Sequence, residues 1–206
     1  MYFQTLDDKG ECVGVYKDGK LYFQDLPTGL ERTWKYAEYL EEGNVEYASV
    51  RCGNRSLNDV CPSFLIDDWA SVEAKLKAYY RSFILAKVNM NENCFFDLVP
   101  KSFLVEYCDI RNKITKYVFE NYEKPQNYDF LTDLTKVLTR IRYQRLNIDV
   151  SSLSDKAHIA KFRKAMKKYA QIDPYGRYKI NGTKTGRLTT EKSSFPIMTM
   201  DKDFRS

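Results

Sequence analysis

A ten-residue segment near the C-terminus, Asn181–Thr190, contains the residues best suited to holding a phosphate group. Two glycines, four threonines, one lysine and one arginine fall within it. Glycine allows a close approach of the main chain to a ligand, and threonine hydroxyls, main-chain amides and the Lys184 ammonium can donate hydrogen bonds to phosphate oxygens. An ordinary loop has a similar composition, so composition does not choose between phosphate binding and a plain surface loop.

A basic segment precedes this one, and five of its eight residues are cations: Lys161, Arg163, Lys164, Lys167 and Lys168. Within a helix, spacings of three and four place Lys161, Lys164 and Lys168 on one face, where like charges repel by about 0.2–0.5 kcal/mol per pair. Nucleic acid phosphates would relieve this repulsion, since each neutralised phosphate releases counterions and strengthens binding. The alternative interpretation is a solvated helix face whose opposite, core-facing side consists of Phe162, Ala165, Met166 and Tyr169.

Positive charge is concentrated toward the C-terminus. Residues 1–100 hold 11 Lys and Arg against 16 Asp and Glu, residues 101–150 hold 9 against 7, and residues 151–206 hold 13 against 5. A chain that is acidic at one end and basic at the other indicates a localised contact with a polyanion. A solvated, lysine-rich surface is the alternative.

The overall composition indicates a folded protein without a membrane segment. The chain has 206 residues, of which 43% are hydrophobic, enough for one domain or for a small domain with a helical extension. It contains no apolar run of about 20 residues, and the N-terminus lacks a basic region followed by an apolar one, so we expect no signal peptide and a cytoplasmic location. Five scattered cysteines and one histidine predict reduced thiols and no structural zinc site.

The elements that must position these residues begin with β-structure. We expect strands at residues 2–6, 11–16 and 20–24, a helix at 30–41 and a strand at 45–52, from runs of Val, Tyr and Phe separated by Asp-Gly-type turns. This is the order in which a ribonuclease-H-like sheet opens. An exonuclease of that class needs carboxylates on its first strand to hold two metal ions, and this first strand has none. A degenerate remnant is therefore one interpretation, and a scaffolding sheet without a catalytic role is the other.

Helical periodicity dominates the remainder of the chain. We expect four helices, at Ser71–Val88, Ser102–Asn121, Tyr128–Leu146 and Ser154–Ala170. A short strand at 177–180 follows them. The predicted fold class is α+β, with a small, mostly antiparallel N-terminal sheet, then a helical region, then a short β-hairpin. The predicted domains are residues 1–66, 67–170 and 171–206.

The segment Thr185-Gly186-Arg187-Leu188-Thr189-Thr190 resembles the Thr-Gly-Arg-Leu-Ser-Ser motif of family A DNA polymerases, with Thr in place of each Ser. The residues before it follow the family's order, in which a basic helix leads to a Tyr…Pro-x-Gly-Arg hairpin, here Lys167-Lys168-Tyr169 and then Asp173-Pro174-Tyr175-Gly176-Arg177. Further upstream, Leu146-Asn147-Ile148-Asp149 is similar to the family's Val-x-Ile-Asp. The resemblance covers about residues 128–205 and is good over 163–190.

The chain also departs from the family pattern. Family members continue with Pro-Asn-Leu-Gln-Asn-Ile-Pro, of which Glu191–Thr199 retains only a proline, so those template and primer contacts are in doubt. Between Asp149 and Ala157 there is no room for a long thumb hairpin, so either the thumb is minimal or the helices at 102–146 serve as it. The segment 201–206 resembles the approach to the first palm motif, and the catalytic carboxylates of the palm have no counterpart here.

The resemblance implies the N-terminal and thumb portion of a phage-type replicative polymerase that binds primer–template DNA, working in the cytoplasm of a bacterial host. By resemblance, Arg187 reaches the minor groove at the primer terminus. The implied contacts with the sugar–phosphate backbone come from Thr185, Lys184 and Thr189. The resemblance also implies a row of lysines that binds phosphates without regard to sequence, Lys161, Lys164 and Lys168, which we call the phosphate rail. The alternative for Arg187 is a surface salt bridge with Asp173 or Glu191.

We expect no catalytic residue and no bound metal in these 206 residues, and hence no turnover by them alone. Mg²⁺ is implied for the complete polymerase, whose palm and fingers would be supplied in cis or by a split subunit. A stand-alone nucleic-acid-binding module and a structural or interaction protein with a basic tail are the other two hypotheses.

Overall fold

The computed structural model describes residues 2–6, 14–35, 45–90, 93–149, 151–180, 183 and 187–204, apart from the side chains of Tyr143, Ser152 and Leu153. Helices, short strands and a β-hairpin are all present, which confirms a mixed α+β fold with a small antiparallel sheet. The chain divides into two compact units, Met1–Thr132 and Asp133–Ser206. Each unit is described by itself, and the three predicted domains remain a prediction.

The first unit opens with an antiparallel sheet of three short strands: β1 (Phe3–Thr5), β2 (Val15–Lys17) and β3 (Lys20–Tyr22), in the order β1-β2-β3. Asp18 and Gly19 connect β2 to β3 with φ angles of 51° and 78°, as a tight two-residue hairpin with Asp-Gly requires. The three predicted N-terminal strands are confirmed within the described residues, and positions 7–13 lie outside them.

A second pair of strands corrects two sequence-based expectations. Arg32–Thr33 form β4, which pairs in parallel with β5 (Glu46–Tyr47), so the predicted helix at 30–41 is wrong at its start. The Thr33 hydroxyl accepts a hydrogen bond from the Lys35 amide at 3.2 Å, a local bond that competes with helix formation. The rest of that predicted helix, from residue 36 onward, lies outside the described residues.

The predicted strand at 45–52 is correct only for β5. The rest of the predicted strand forms the helix α1 (Ala48–Arg51) instead. Ala48, Val50 and Cys52 are all buried, and the hydrogen bonds of one helical turn satisfy their main-chain groups. Alternating burial over so few residues is compatible with either element.

Helices make up the remainder of this unit: α2 (Leu57–Val60), α3 (Ile66–Leu85), α4 (Phe95–Leu98), α5 (Lys101–Asn121) and α6 (Tyr128–Tyr143). A 3₁₀ turn at Ser63–Leu65 precedes α3. Three of the predicted helices are thus confirmed with shifted ends, and α6 continues into the second unit.

Helix α5 is the centre of the first unit's core, packing against β1, α1, α2 and α3. Its buried side chains recur at spacings of three and four: Phe103, Leu104, Tyr107, Cys108, Ile110, Arg111, Ile114, Thr115 and Val118. The fully buried Gln4 amide of β1 donates to the Thr115 hydroxyl at 3.0 Å. A polar bond of this kind inside an apolar cluster fixes which face of β1 meets the helix.

The second unit combines the end of α6 with α7 (Ala160–Tyr169) and an antiparallel pair, β6 (Tyr178–Lys179) and β7 (Thr189–Thr190). The predicted basic helix is shorter than expected at its start, because Ser151–Lys156 form 3₁₀ turns. Two further 3₁₀ turns follow β7, at Ile197–Thr199 and Lys202–Phe204.

The cysteines depart from the expectation of reduced thiols. Cys94 is disulfide-bonded, whereas Cys52, Cys61 and Cys108 are free. A disulfide requires Cα atoms about 4.4–6.8 Å apart, and scattered sequence positions do not reveal such proximity. In the described part of the chain, no helix has the length and apolar character needed to cross a membrane.

Tyr128→Phe is expected to lower the free energy of unfolding by about 1–3 kcal/mol, because it leaves a buried main-chain donor without its acceptor. The Tyr128 hydroxyl accepts from the Tyr47 amide at 2.6 Å, and both residues are buried. Urea denaturation measures the change. Tyr80→Phe is the matched control, since Tyr80 is 49% exposed on α3, and an equal loss in both variants would contradict this role.

The stability of the first unit is expected to decline above about pH 10, the ordinary pKa of tyrosine. Burial, and then the hydrogen bond donated to Asp109, raise the pKa of Tyr16 well above that value. The folded chain therefore holds this proton to higher pH than the unfolded chain, so the stabilisation is complete below pH ~10 and is lost as pH rises further. Tyr16→Phe should reduce the slope of unfolding free energy between about pH 10 and 11 by up to ~1.4 kcal/mol per pH unit. Identical slopes in the two proteins would rule out this contribution.

Candidate nucleic-acid interface

The second unit carries a large excess of positive charge. Its sequence holds 17 Lys and Arg against 7 Asp and Glu. Four of those seven acids form ion pairs: Asp133 with Lys136, Glu191 with Arg142, and Asp201 and Asp203 with Lys161. Most of the cations on this unit therefore have no acid to neutralise them.

Helix α7 separates an apolar face from a charged one. Phe162 and Ala165 are buried, and Met166 and Tyr169 are half-buried, as the core-facing side was predicted to be. The rings of Phe162 and Tyr169 pack edge-on against Phe204, with centroids 5.0 and 6.1 Å apart, and Tyr169 also meets Phe195 at 5.8 Å. This aromatic cluster fixes the rotation of α7, so its lysines face outward.

Four of the five cations on α7 are exposed and form no ion pair with a described residue: Arg163, Lys164, Lys167 and Lys168. Two of these, Lys164 and Lys168, belong to the predicted rail. The Lys168 ammonium lies over the Tyr169 ring, 5.6 Å from its centroid, which orients its stem along the helix end. These cations are available to phosphates without breaking an ion pair.

Lys161, the third predicted rail residue, has a different environment. Its ammonium lies 2.8 Å from an Asp201 carboxylate oxygen and 2.7 Å from one of Asp203. The hydrogen bonds that its ammonium donates to Asp201 and then to Asp203 raise the pKa of Lys161 above its ordinary value. We call these three residues the acidic clasp. A phosphate reaching Lys161 has to compete with two carboxylates of the same chain.

The hairpin of β6 and β7 presents the segment that resembles the polymerase motif. Tyr178 pairs with Thr190, and Lys179 with Thr189. Between these strands the Thr183 hydroxyl accepts from the Arg187 amide at 2.9 Å and donates to the Arg187 carbonyl at 3.2 Å. The Thr183 side chain is thus bonded to both main-chain groups of Arg187. Of the motif residues, Thr185 and Gly186 lie outside the described residues, as does the neighbouring predicted contact Lys184.

Arg187 is exposed between β6 and β7. The salt bridge considered as its alternative role is not formed among the described residues: Glu191 instead accepts a forked contact from Arg142 at 3.1 and 3.3 Å, and Arg187 has no ion pair with Asp173. Thr189 is half-buried in β7. The guanidinium is therefore accessible, whereas the Thr189 hydroxyl is partly shielded.

Main-chain bonds hold the hairpin to its surroundings. Tyr175 forms an antiparallel bridge with Arg145, and the Pro174 carbonyl accepts from the Leu146 amide at 2.8 Å. On the other side, the Tyr175 carbonyl accepts from the Phe195 amide at 2.9 Å. Residues 174–175 are thus fixed from both sides.

The described residues offer no set of ligands for a metal. No group of three or more His, Cys, Asp or Glu side chains among them is arranged to hold an ion. The Mg²⁺ that the polymerase resemblance implies therefore has no fitting site in this part of the chain.

Sequence reasoning did not find the acidic clasp or the Arg142–Glu191 pair. Asp201 and Asp203 lie about 40 residues from Lys161 in sequence, and nothing in their local pattern points to that helix. An Asp-x-Asp pair following a lysine-rich helix is the one available signal, and it is weak because exposed acids are common.

Comparison of the chain with known protein-family models, with curated proteins and with solved structures gives no match.

Opening the acidic clasp is expected to strengthen polyanion binding. The double variant Asp201→Asn/Asp203→Asn frees the Lys161 ammonium, so its affinity for a short DNA duplex should rise and the slope of log K against log salt should steepen by about 0.9. Fluorescence anisotropy over a salt series measures both quantities.

The matched control for the clasp variant is Asp155→Asn/Asp173→Asn. It changes net charge equally at exposed acids that form no ion pair with a described residue. An equal gain in both double variants would show that net charge alone is responsible and that the clasp does not limit Lys161.

Proposed function

We propose that this chain is the DNA-gripping, thumb-side portion of a family A DNA polymerase and that it binds primer–template DNA during replication. The observation that carries the proposal is the row of exposed, unneutralised cations on α7, in the same compact unit as the loop that presents Arg187. Phosphates are the ligands that such a row suits, because each contact releases counterions. The resemblance around residue 187 supplies the choice of polymerase.

In this proposal α7 supplies non-specific affinity. Lys164 and Lys168 hold the sugar–phosphate backbone, with Arg163 and Lys167 beside them. Lys161 joins them in competition with the carboxylates of Asp201 and Asp203. Because these contacts go to phosphates, they position the duplex and carry no sequence information.

In this proposal Arg187 contacts the minor groove at the primer terminus. Minor-groove acceptors are nearly the same for all base pairs, so a single guanidinium there senses whether a pair has the correct shape without reading sequence. The two hydrogen bonds between the Thr183 hydroxyl and the main chain of Arg187 support this role, since they fix the backbone that carries the guanidinium. Thr185, Lys184 and Thr189 would contact the neighbouring backbone.

The chemistry belongs to another part of the enzyme in this proposal. The palm carboxylates of the family have no counterpart in these 206 residues, so we assign catalysis to a palm and fingers portion in cis or in a partner subunit. The helices α5 and α6 would serve as a minimal thumb. The antiparallel order of β1, β2 and β3, and the position of β4 beside β1, support a vestigial ribonuclease-H-like origin for the N-terminal region.

A stand-alone nucleic-acid-binding module is the second candidate, because the same cations favour it. It differs in one respect: it predicts no preference for a primer terminus. The third hypothesis, a structural or interaction protein, predicts no salt-dependent affinity for DNA.

Arg187→Ala is expected to weaken binding to DNA with a recessed 3′ end about tenfold while leaving affinity for a blunt duplex nearly unchanged. Anisotropy titrations with the two DNAs at one salt concentration measure the split. The comparison variant Lys164→Gln/Lys168→Gln should weaken both DNAs alike and reduce the salt slope by about 1.8.

Two results would overturn parts of the proposal. An Arg187→Ala variant that binds both DNAs like the unchanged protein removes the primer-terminus role and leaves the stand-alone module. An absence of salt-dependent binding to either DNA removes nucleic-acid binding altogether.

A further inference from the structure

A groove of about 530 Å³ opens on the second unit beside the C-terminal end of α7. One wall is the segment Arg145–Ile148, and the opposite wall runs from Tyr169 to Pro174. Phe195, which is 2% exposed, also lines it. This volume is within the range of sites that hold small organic ligands, about 300–1,000 Å³.

Two polar side chains at this groove have no partner among the residues that the structure describes. Asn147 and Arg145 are exposed, and neither side chain has a hydrogen bond or ion pair with a described residue. Their backbone is nevertheless anchored, by the bridge from Arg145 to Tyr175 and the bond from Leu146 to Pro174. The groove thus offers an amide and a guanidinium, held by an ordered main chain, beside an apolar wall.

This combination matches one ligand class. A carboxamide presents a donor and an acceptor side by side, which is the pattern that pairs with the edge of a nucleobase. A guanidinium binds phosphate oxygens in a forked geometry. Apolar and aromatic walls pack against the flat face of an unpaired base, the usual mode for single-stranded nucleic acids. An apolar peptide side chain would leave both polar groups unused.

We propose that this groove takes one unpaired nucleobase of a strand whose phosphates run along α7. Lys167 and Lys168 directly precede Tyr169 and Ala170, which line the groove, so the cationic row leads to its edge. The Ile148 and Ile172 side chains contact the base, Asn147 pairs with its edge, and Arg145 holds the adjoining phosphate. The inference rests on the proposed nucleic-acid function and adds to it a site for single-stranded rather than duplex DNA.

The test uses three DNA probes and the full chain. The first probe is a duplex with a single-stranded overhang, the second has the same overhang with abasic positions, and the third is a blunt duplex. The unchanged protein should bind the first about tenfold more tightly than the second, since a stacked base contributes that much affinity. 2-Aminopurine placed at each overhang position in turn locates the bound base by its fluorescence quenching.

Two pairs of variants tie the effect to the groove. Asn147→Ala should lower the preference for bases by about threefold or more, because it removes the hydrogen bond to the base edge, whereas Gln171→Ala, which truncates an exposed amide that does not line the groove, should leave the preference undiminished. Ala170→Glu places a carboxylate in the groove and should remove the preference, whereas Gln171→Glu adds the same charge one residue away and should not. Circular dichroism verifies that each variant folds.

The binding results distinguish a failure of the proposed groove from a failure of the proposed DNA binding. Equal, salt-dependent affinity for the base-containing and abasic overhangs overturns the groove's role and leaves duplex binding intact. A base preference that survives Asn147→Ala and Ala170→Glu undiminished places the base elsewhere and also overturns the inference. If none of the three DNAs binds with a salt-dependent affinity, the proposed function and this inference are both wrong.

Discussion

The second unit depends on a short piece of main chain that is hydrogen-bonded on both sides. The Pro174 carbonyl is used by Leu146 and the Tyr175 carbonyl by Phe195. The two walls of the groove and the main chain of Phe195 are therefore joined through residues 174–175 by main-chain hydrogen bonds. A cavity held in this way exists before any ligand arrives, so binding does not have to supply the entropy of ordering it. The same segment leads into β6, so the hairpin that carries Arg187 starts from a fixed point.

Much of the fold follows from local patterns in the sequence. Turn residues and helical periodicity identified β1 to β3, α3, α5 and α6, because each is long enough or punctuated clearly enough for its period to be visible. The errors fall where elements are two to four residues long. Arg32–Thr33 is a strand only because β5 supplies its partner, and α1 forms where three small and apolar residues meet α5. Such choices are made by tertiary contacts, which no local window contains.

The candidate site likewise has features that the sequence predicts and features that only the structure shows. The exposure of Lys164 and Lys168 could be predicted from spacing, because the apolar residues of α7 fix which face is buried. The pairing of Lys161 with Asp201 and Asp203 could not, since it joins segments about 40 residues apart in sequence. The groove is likewise a product of three separated segments. Composition thus predicted a basic surface, whereas only the structure shows which cations on it are already paired.

The acidic clasp has a consequence for how quickly a polyanion exchanges. An ammonium group has three N–H donors, and the two carboxylates of Asp201 and Asp203 occupy two of them at Lys161. The third donor can engage an arriving phosphate before either carboxylate leaves. Displacement at this position then proceeds one donor at a time, and the charge is never fully desolvated or unpaired on the way. In the proposed complex, a strand moving along α7 would exchange partners at Lys161 one at a time.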